Sequence, residues 1–471
     1  MKKGWSRKNL WDALPWSCKG LLGRALRLAP LPWLLGRGFR EQYRFLQDAQ
    51  WWDEEQARAY QLARLKEILT LAYERTIYYR RSFNEVGFHP GDFKSLNDLT
   101  GLPRIDRNIV ARHLHEMMTV PVSSPRVDYV TTSGAGGRPL AFYIGAERSA
   151  IEFAHLAQSW ARAGYQPGMK LAVLRGHVVP PDKNGLHHRF DPLLNYHFYS
   201  GFHLNPEQME RYVAHMRRVR PRFLQAYPSS AYILARFVHE RGLRFPDSLQ
   251  AVLLESEPVY AHQREFLVQE CGLRVLASYG HTEKLVLANE CEHSAHYHVW
   301  PTYGYGEVLN PEGRPVPNGE EGEIVGTGFI NRVVPFIRYR TDDYAVPLDT
   351  HCPACRRAHA LWADVRGHRS QEFLVGRDRN LVTWTALNMH DDTFDGIVEF
   401  QFVQDQPGQA CLRVVPANGA TRYDLKRISE HLGRKLSGQI EVEIQVCDSL
   451  EKTRVGKHKF VVQNISAAMQ A

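Results

Sequence analysis

The sequence predicts an α/β protein: a large N-terminal domain of βα units with a small β-rich part, followed by a small α+β C-terminal domain. Three observations carry this. At 471 residues the chain exceeds one ordinary core. Residues 170 to 320 alternate short apolar runs with helical stretches, the rhythm of buried, mostly parallel strands. Beyond Asn318 strands dominate, and from about Asp378 a compact unit of strands surrounds one helix.

Taken in order, residues 1–50 hold ten Lys/Arg against three Asp/Glu, interleaved with Trp5, Trp11, Trp16 and Trp33. Two readings stand: an amphipathic helical pair packed on the main body, or a basic, aromatic segment resting on an anionic membrane surface. From Glu54 to Phe83 Leu62, Leu65, Ile68, Leu69 and Ala72 recur at helical spacing. A further helix follows "GLPRID". Next comes "VTTSGAGGRPLAFYIG", residues 130–145, a strand, a glycine loop and a second strand. Without Cβ atoms such a loop can converge several backbone N–H groups on an anion, or it can be a plain hairpin turn. It is neither a Walker loop nor a dinucleotide fingerprint.

"KLAVLRG", "LQAVLLES" and "LRVLASYG" read as strands between helices. A ligand is expected at the carboxyl ends of such strands. "GEIVGTGF", "VPFIRYRTDDYAV" and "EFLVG" are later strands, and "EFQFVQ", "ACLRVVP" and "EVEIQVC" surround the helix "YDLKRISEHLGRKL". The domains are thus 1–50, 51–371 and 372–471.

Apolar residues at 44% and charged residues at 23% describe a folded protein. Seven scattered cysteines argue for a reducing compartment, and no apolar run spans a bilayer or forms a signal peptide core, so the cytoplasm is expected. The net charge of +8 is accompanied by no nucleic-acid-binding motif.

The glycine loop at 131–139, "AYPSS" at 226–230, "ESEP" at 255–258, "SYGHTE" at 278–283, "GEIVGTG…VVPFIRYRTDD" at 322–343, "GHRSQEFLV" at 367–375 and "KTRVGKHKF" at 452–460 occur in one order. That series resembles the adenylate-forming superfamily, specifically the phenylacetate-CoA ligase branch and its CapK-like members associated with capsule and exopolysaccharide synthesis. The resemblance covers about residues 45–465 and implies a large adenylate-forming domain with a mobile C-terminal lid. It implies ATP, Mg2+, a carboxylic acid and, as acceptor, CoA or another thiol or amine. The glycine loop, through Thr132, Ser133, Gly134, Gly136 and Gly137, then holds phosphates. Tyr279 and Gly280 lie against adenine, Thr282 contacts phosphate, Glu283 holds Mg2+, and Glu257 joins the nucleotide site. Asp343 accepts the ribose hydroxyls, since a carboxylate can take two donors. Arg369 precedes the hinge near Glu372, Lys457 serves adenylation and then swings away, and Tyr227 and Pro228 border the acyl group.

Four positions depart from the family pattern. Ala135 and Gly136 stand where hydroxyl residues are usual, and each charge-assisted hydroxyl bond is worth about 1–3 kcal/mol. Asp342 replaces a glycine before Asp343, and His368 replaces one before Arg369. A degenerate scaffold in polysaccharide assembly is therefore the alternative. Retained Glu283, Asp343, Arg369 and Lys457 oppose it.

"ECEHSAHYHVW" and "HCPACRR" form a second constellation. A CxxC turn offers two thiolates to a tetrahedral ion, and a distant Cys/His pair can close a structural Zn2+ site. The resemblance favours Cys291, His298, Cys352 and Cys355, with His293 the rival fourth ligand.

Overall fold

The computed structural model describes residues 11, 14–26, 28–132, 140–367, 372–387, 391–417, 423–436, 438–450 and 460–465. Ser133, Gly134, Ala135, Gly136, Gly137, His368, Arg369 and Lys457 lie outside them. Two compact units are formed, one from residues 1–130, 141–168 and 276–368, the other from residues 131–140, 169–275 and 369–471.

The first unit starts with helices Trp16–Leu26, Leu31–Leu35 and Arg37–Ala49. Helix Arg37–Ala49 buries Phe39 and Leu46 against Ala154, Trp300 and Tyr303, so its apolar stripe faces a core. Leu28 and Trp33 are exposed, and Arg40 lies over the Trp33 ring at 4.7 Å. The periodic stretch from Glu54 forms two helices instead of one, Glu54–Arg75 and Ile77–Glu85. Thr76 divides them: its backbone is extended and its hydroxyl caps the second helix, accepting from Tyr79 N at 3.2 Å. Helix Arg107–His113 follows "GLPRID", capped by Asp106. β1 (Val127–Thr131) and β2 (Ala141–Gly145) form a two-stranded sheet.

In the second unit β3 (Leu171–Arg175) lies parallel to β5 (Tyr196–Ser200) and β6 (Phe223–Ala226), and β6 lies parallel to β7 (Ala251–Glu255). Helices Pro206–Val219 and Pro228–Glu240 supply the crossovers, each opening on a proline in its first turn. β4 (His188–Asp191) pairs antiparallel with β5. This hairpin escaped the sequence reading because "HRFD" and "YHFYS" carry histidines and aromatics where an aliphatic run signals a buried strand.

The first unit resumes with β8 (Arg274–Gly280), β9 (Leu287–Glu290), β10 (Tyr297–Val299), β11 (Gly304–Leu309), β12 (Gly322–Gly328), β13 (Tyr339–Pro347) and β14 (Leu361–Arg366). Their order is β11-β12-β13-β14-β10-β9-β8. Pairing is antiparallel from β8 and β9 onward, so the parallel rhythm expected to reach residue 320 ends near Gly280. Short links such as 281–286 permit only hairpins, whereas a parallel return needs a crossover. Arg338, which precedes β13, is buried and grips Glu307 at 3.0 and 3.1 Å while donating to Leu102 O at 2.6 Å.

The C-terminal part of the second unit contains the short hairpin β15 (Phe373–Val375) and β16 (Leu381–Thr383), then β17 (Ile397–Gln406), β18 (Gln409–Pro416), β19 (Glu441–Val446) and β20 (Val461–Gln463). The last four form a sheet in the order β19-β18-β17-β20. Helix Leu425–Leu436 buries Ile428, Leu432 and Leu436 in the same cluster as Phe400, Phe402, Leu412 and Val414. Gly176, just after β3, has no room for a side chain: a Cβ there would stand 2.7 Å from the Ala386 backbone. No helix among the described residues is long and apolar enough to cross a membrane.

Candidate active site

In the first unit Tyr279 ends β8 and Asp343 lies on β13. The Tyr279 hydroxyl donates to Asp343 Oδ2 at 2.9 Å and lies 2.6 Å from His281 Nε2. A phenol has one proton, so its donation to Asp343 leaves its oxygen to accept from the imidazole. Burial first, and then the Asp343 charge, hold the Tyr279 phenol well above its usual pKa, so it remains a donor. The backbone N–H of Asp343 donates to Thr341 Oγ1 at 3.1 Å, and Thr341 donates to Ile324 O at 2.7 Å, which fixes the carboxylate on the sheet.

Asp342, in place of the expected glycine, has φ +59°. The β12 and β13 registers shift here: Glu323 faces Tyr344 while Val325 faces Arg340, so β13 spends extra residues. Such a bulge wants a left-handed residue, which glycine meets without strain and aspartate tolerates better than most. Its side chain is exposed, whereas Asp343 is buried.

Glu283 is buried after a turn that follows Gly280, and Thr282 is half-buried. Lys284, in a left-handed conformation, pairs with Glu152. His281 Nδ1 is buried with no hydrogen-bond partner among the described residues. A ligand donor at this strand end would satisfy it, which fits a nucleotide. Neither His281 nor Lys284 was marked in the sequence.

In the second unit the carboxyl ends of β3, β6 and β7 gather Arg175, Tyr227, Ser256 and Glu257. Tyr227 and Pro228 open helix Pro228–Glu240, and Glu257 Oε2 accepts from Ser229 N at 3.1 Å in its first turn. Burial outweighs the Ser229, Thr385 and Arg175 contacts and raises the Glu257 carboxyl above its ordinary range. Arg175 donates to Glu255 Oε2 at 3.2 Å and Ser256 Oγ at 2.9 Å, and lies 5.1 Å over the Tyr227 ring. Ser256 has φ +71°, a strained turn where strand ends carry function. Arg175 was missed; its signal was a cation closing the apolar run "KLAVL".

Thr132 N donates to Leu140 O at 2.9 Å, and Thr132 Oγ1 accepts from Leu140 N at 3.2 Å. The two ends of the glycine loop are thereby pinned as in a hairpin. Thr131 donates to Asp391 O at 3.0 Å. The Thr131 and Thr132 hydroxyls both have partners within the protein.

Cys291 follows β9, His298 lies on β10, and Cys352 and Cys355 sit in the link between β13 and β14. Because β9, β10 and β14 are neighbours in the sheet, the four donors converge, all within 4.8 Å of one another. Cys291 Sγ is 3.9 Å from Cys352 Sγ, and Cys355 Sγ is 3.5 Å from His298 Nε2. A tetrahedral Zn2+ with bonds of about 2.3 Å to sulfur and about 2.0 Å to nitrogen sets those separations at about 3.8 and about 3.5 Å. His293 is exposed and stands outside the group, touching Cys291 through its backbone N–H. Of the two rival fourth ligands, the fold therefore selects His298, since β10 carries it toward the β13–β14 link.

Comparison with known proteins agrees with this architecture. The 2-hydroxyisobutyryl-CoA ligase solved with 2-HIB-AMP and CoA superposes with a TM-score of 0.57, covering 88% of this chain and 91% of that one at 22% identity. The fold is that of the adenylate-forming ligases. Phenylacetate-coenzyme A ligase from Thermus thermophilus is 30% identical over 339 residues, 69% of this chain and 73% of that protein. The Escherichia coli enzyme of the same name is 27% identical over 336 residues, 69% and 74%. Protein CapK from Staphylococcus aureus is 20% identical over 375 residues, 78% and 81%, and residues 374–464 match the CapK C-terminal domain. The chain belongs to the phenylacetate-CoA ligase family, as an AMP-forming acid-thiol ligase with a CapK-type C-terminal domain.

Proposed function

We propose that the protein activates a carboxylic acid with ATP to an acyl-adenylate and passes the acyl group to CoA. The observation that carries this is the Tyr279–His281–Asp343 group, a buried carboxylate held by a phenol at the end of β8, which as an acceptor of two donors suits a ribose diol. In the first step a carboxylate oxygen of the acid attacks the α-phosphorus and pyrophosphate leaves. In the second, the acceptor sulfur attacks the acyl carbon, loses its proton and expels AMP. Both steps rely on positioning and on neutralising phosphate charge. Asp343 anchors the ribose, Tyr279 and Gly280 flank the adenine, Thr282 and the loop from Thr132 to Gly137 serve the phosphates, and Glu257 completes the nucleotide set. Glu283 is suited to hold Mg2+, which would offset phosphate charge. Lys457 serves adenylation from a C-terminal lid of residues 372–471, with Arg369 before the hinge. Tyr227 and Pro228 border the acid, and Arg175 at the same strand ends suits its carboxylate.

Cys291, His298, Cys352 and Cys355 form a structural Zn2+ site, because four protein ligands leave no open position for catalysis. The CapK-type C-terminal domain supports a place in surface polysaccharide synthesis, in the cytoplasm. Exposed Leu28 and Trp33 support a peripheral membrane contact through residues 1–50. Liposome co-sedimentation checks that contact: removal of residues 1–50 is expected to abolish binding to anionic vesicles, and equal binding by both forms contradicts it.

Pyrophosphate release from Mg-ATP across a panel of carboxylic acids, with and without CoA, tests the main reading. Release is expected for one acid class and is expected to fall about a hundredfold or more in Lys457→Ala. No release with any acid, together with no ATP binding, would overturn it in favour of a scaffold with a degenerate phosphate loop.

A further inference from the structure

The second unit contains a histidine cluster that the ligase reaction does not use. β4 and β5 pair with His188 opposite Tyr199 and Phe190 opposite His197, so these four residues share one face of the hairpin. Helix Pro206–Val219 brings His215 to the same place, its ring centroid 4.0 Å from that of His188 and 5.8 Å from that of His197. His188 Nε2 lies 3.0 Å from His197 Nδ1. One ring nitrogen from each of the three lies within 4.8 Å of the others. His197 and His215 are buried.

The Tyr199 hydroxyl stands 2.8 Å from His215 Nδ1. That contact fixes the ring and leaves Nε2 for another partner, as the outer contacts of metal-bound histidines do. A tetrahedral ion with nitrogen ligands at about 2.0 Å requires them about 3.3 Å apart, close to the separation already present in the hairpin.

We propose that His188, His197 and His215 form a second metal site, taking a divalent transition-metal ion through three imidazole nitrogens with the fourth position open to solvent or a small ligand. Imidazole donors suit Zn2+, Cu2+, Ni2+ and Co2+, in contrast to the thiolate-rich group of the first unit. An ion here clips the β4–β5 hairpin to helix Pro206–Val219.

Titration of the metal-stripped full-length protein with Co2+ separates the two sites. Thiolate ligands give intense sulfur-to-metal charge transfer, whereas a nitrogen-only site gives d–d bands alone. The expected result is one equivalent of each kind, with the double variant His188→Ala/His197→Ala losing only the nitrogen-type equivalent. Tyr199→Phe, a milder change, is expected to weaken that equivalent roughly tenfold. Absence of a nitrogen-type equivalent in the wild type overturns the proposal, as does its retention in the folded double variant. Loss of the charge-transfer equivalent alone would count against the cysteine site and leave this one standing.

Discussion

Asp342 shows how a single backbone angle conditions a site. With φ +59° it occupies a region costly to most L-residues, by about 1–2 kcal/mol. Asp342→Gly is therefore expected to match or exceed wild-type stability in urea unfolding, while Asp342→Val loses about 1–2 kcal/mol. Equal stability of the two variants would show that the bulge relaxes instead of constraining Asp343. Glu257 presents a different residue-scale problem. Its carboxyl is raised by burial, so the folded chain keeps that proton to higher pH than the unfolded chain does. Stability contributed by this group is present below the ordinary carboxylate range and is lost as pH rises through the raised value. The melting-temperature difference between Glu257→Gln and wild type is expected to move in favour of the variant from about pH 4 to about pH 8. A difference independent of pH would contradict the assignment.

At the scale of elements, the cysteine–histidine group depends on three adjacent strands and one link. Four candidate ligands from the end of β9, β10 and the β13–β14 link join segments that are distant in sequence, so an ion held by them would brace that end of the sheet and its loss would loosen it. Zn2+ removal by a chelator is expected to lower the melting temperature of the wild type, and Cys352→Ser is expected to abolish that chelator sensitivity. A chelator-insensitive wild type would exclude a bound structural ion. The CxxC spacing made Cys352 and Cys355 legible from the chain alone. The choice between His293 and His298 was not, because it depends on which of them β10 carries to the β13–β14 link. Aliphatic runs revealed β3, β6 and β7, whereas β4 and β5, built from histidines and aromatics, carried no such signal. The antiparallel turn after Gly280 was hidden for a related reason: apolar periodicity marks a strand but not its direction.

Across the whole molecule, motif order marks Tyr279, Thr282, Glu283 and Asp343 as candidates for the nucleotide, and apolar alternation indicates an α/β body with a small α+β C-terminal part. Those properties are local: periodicity reports burial, and motif spacing reports chemistry repeated along a chain. The sequence by itself therefore determined the class of fold, the ligase family and the residue types available for nucleotide and acid. Tertiary structure alone decided that Tyr279 donates to Asp343, that Arg175 meets Glu255 and Ser256 at a strand end, that His298 joins three cysteines, and that His188, His197 and His215 converge. Each is a contact between residues 7 to 81 positions apart whose geometry is set by strand pairing and helix packing, and no spacing rule along the chain encodes it.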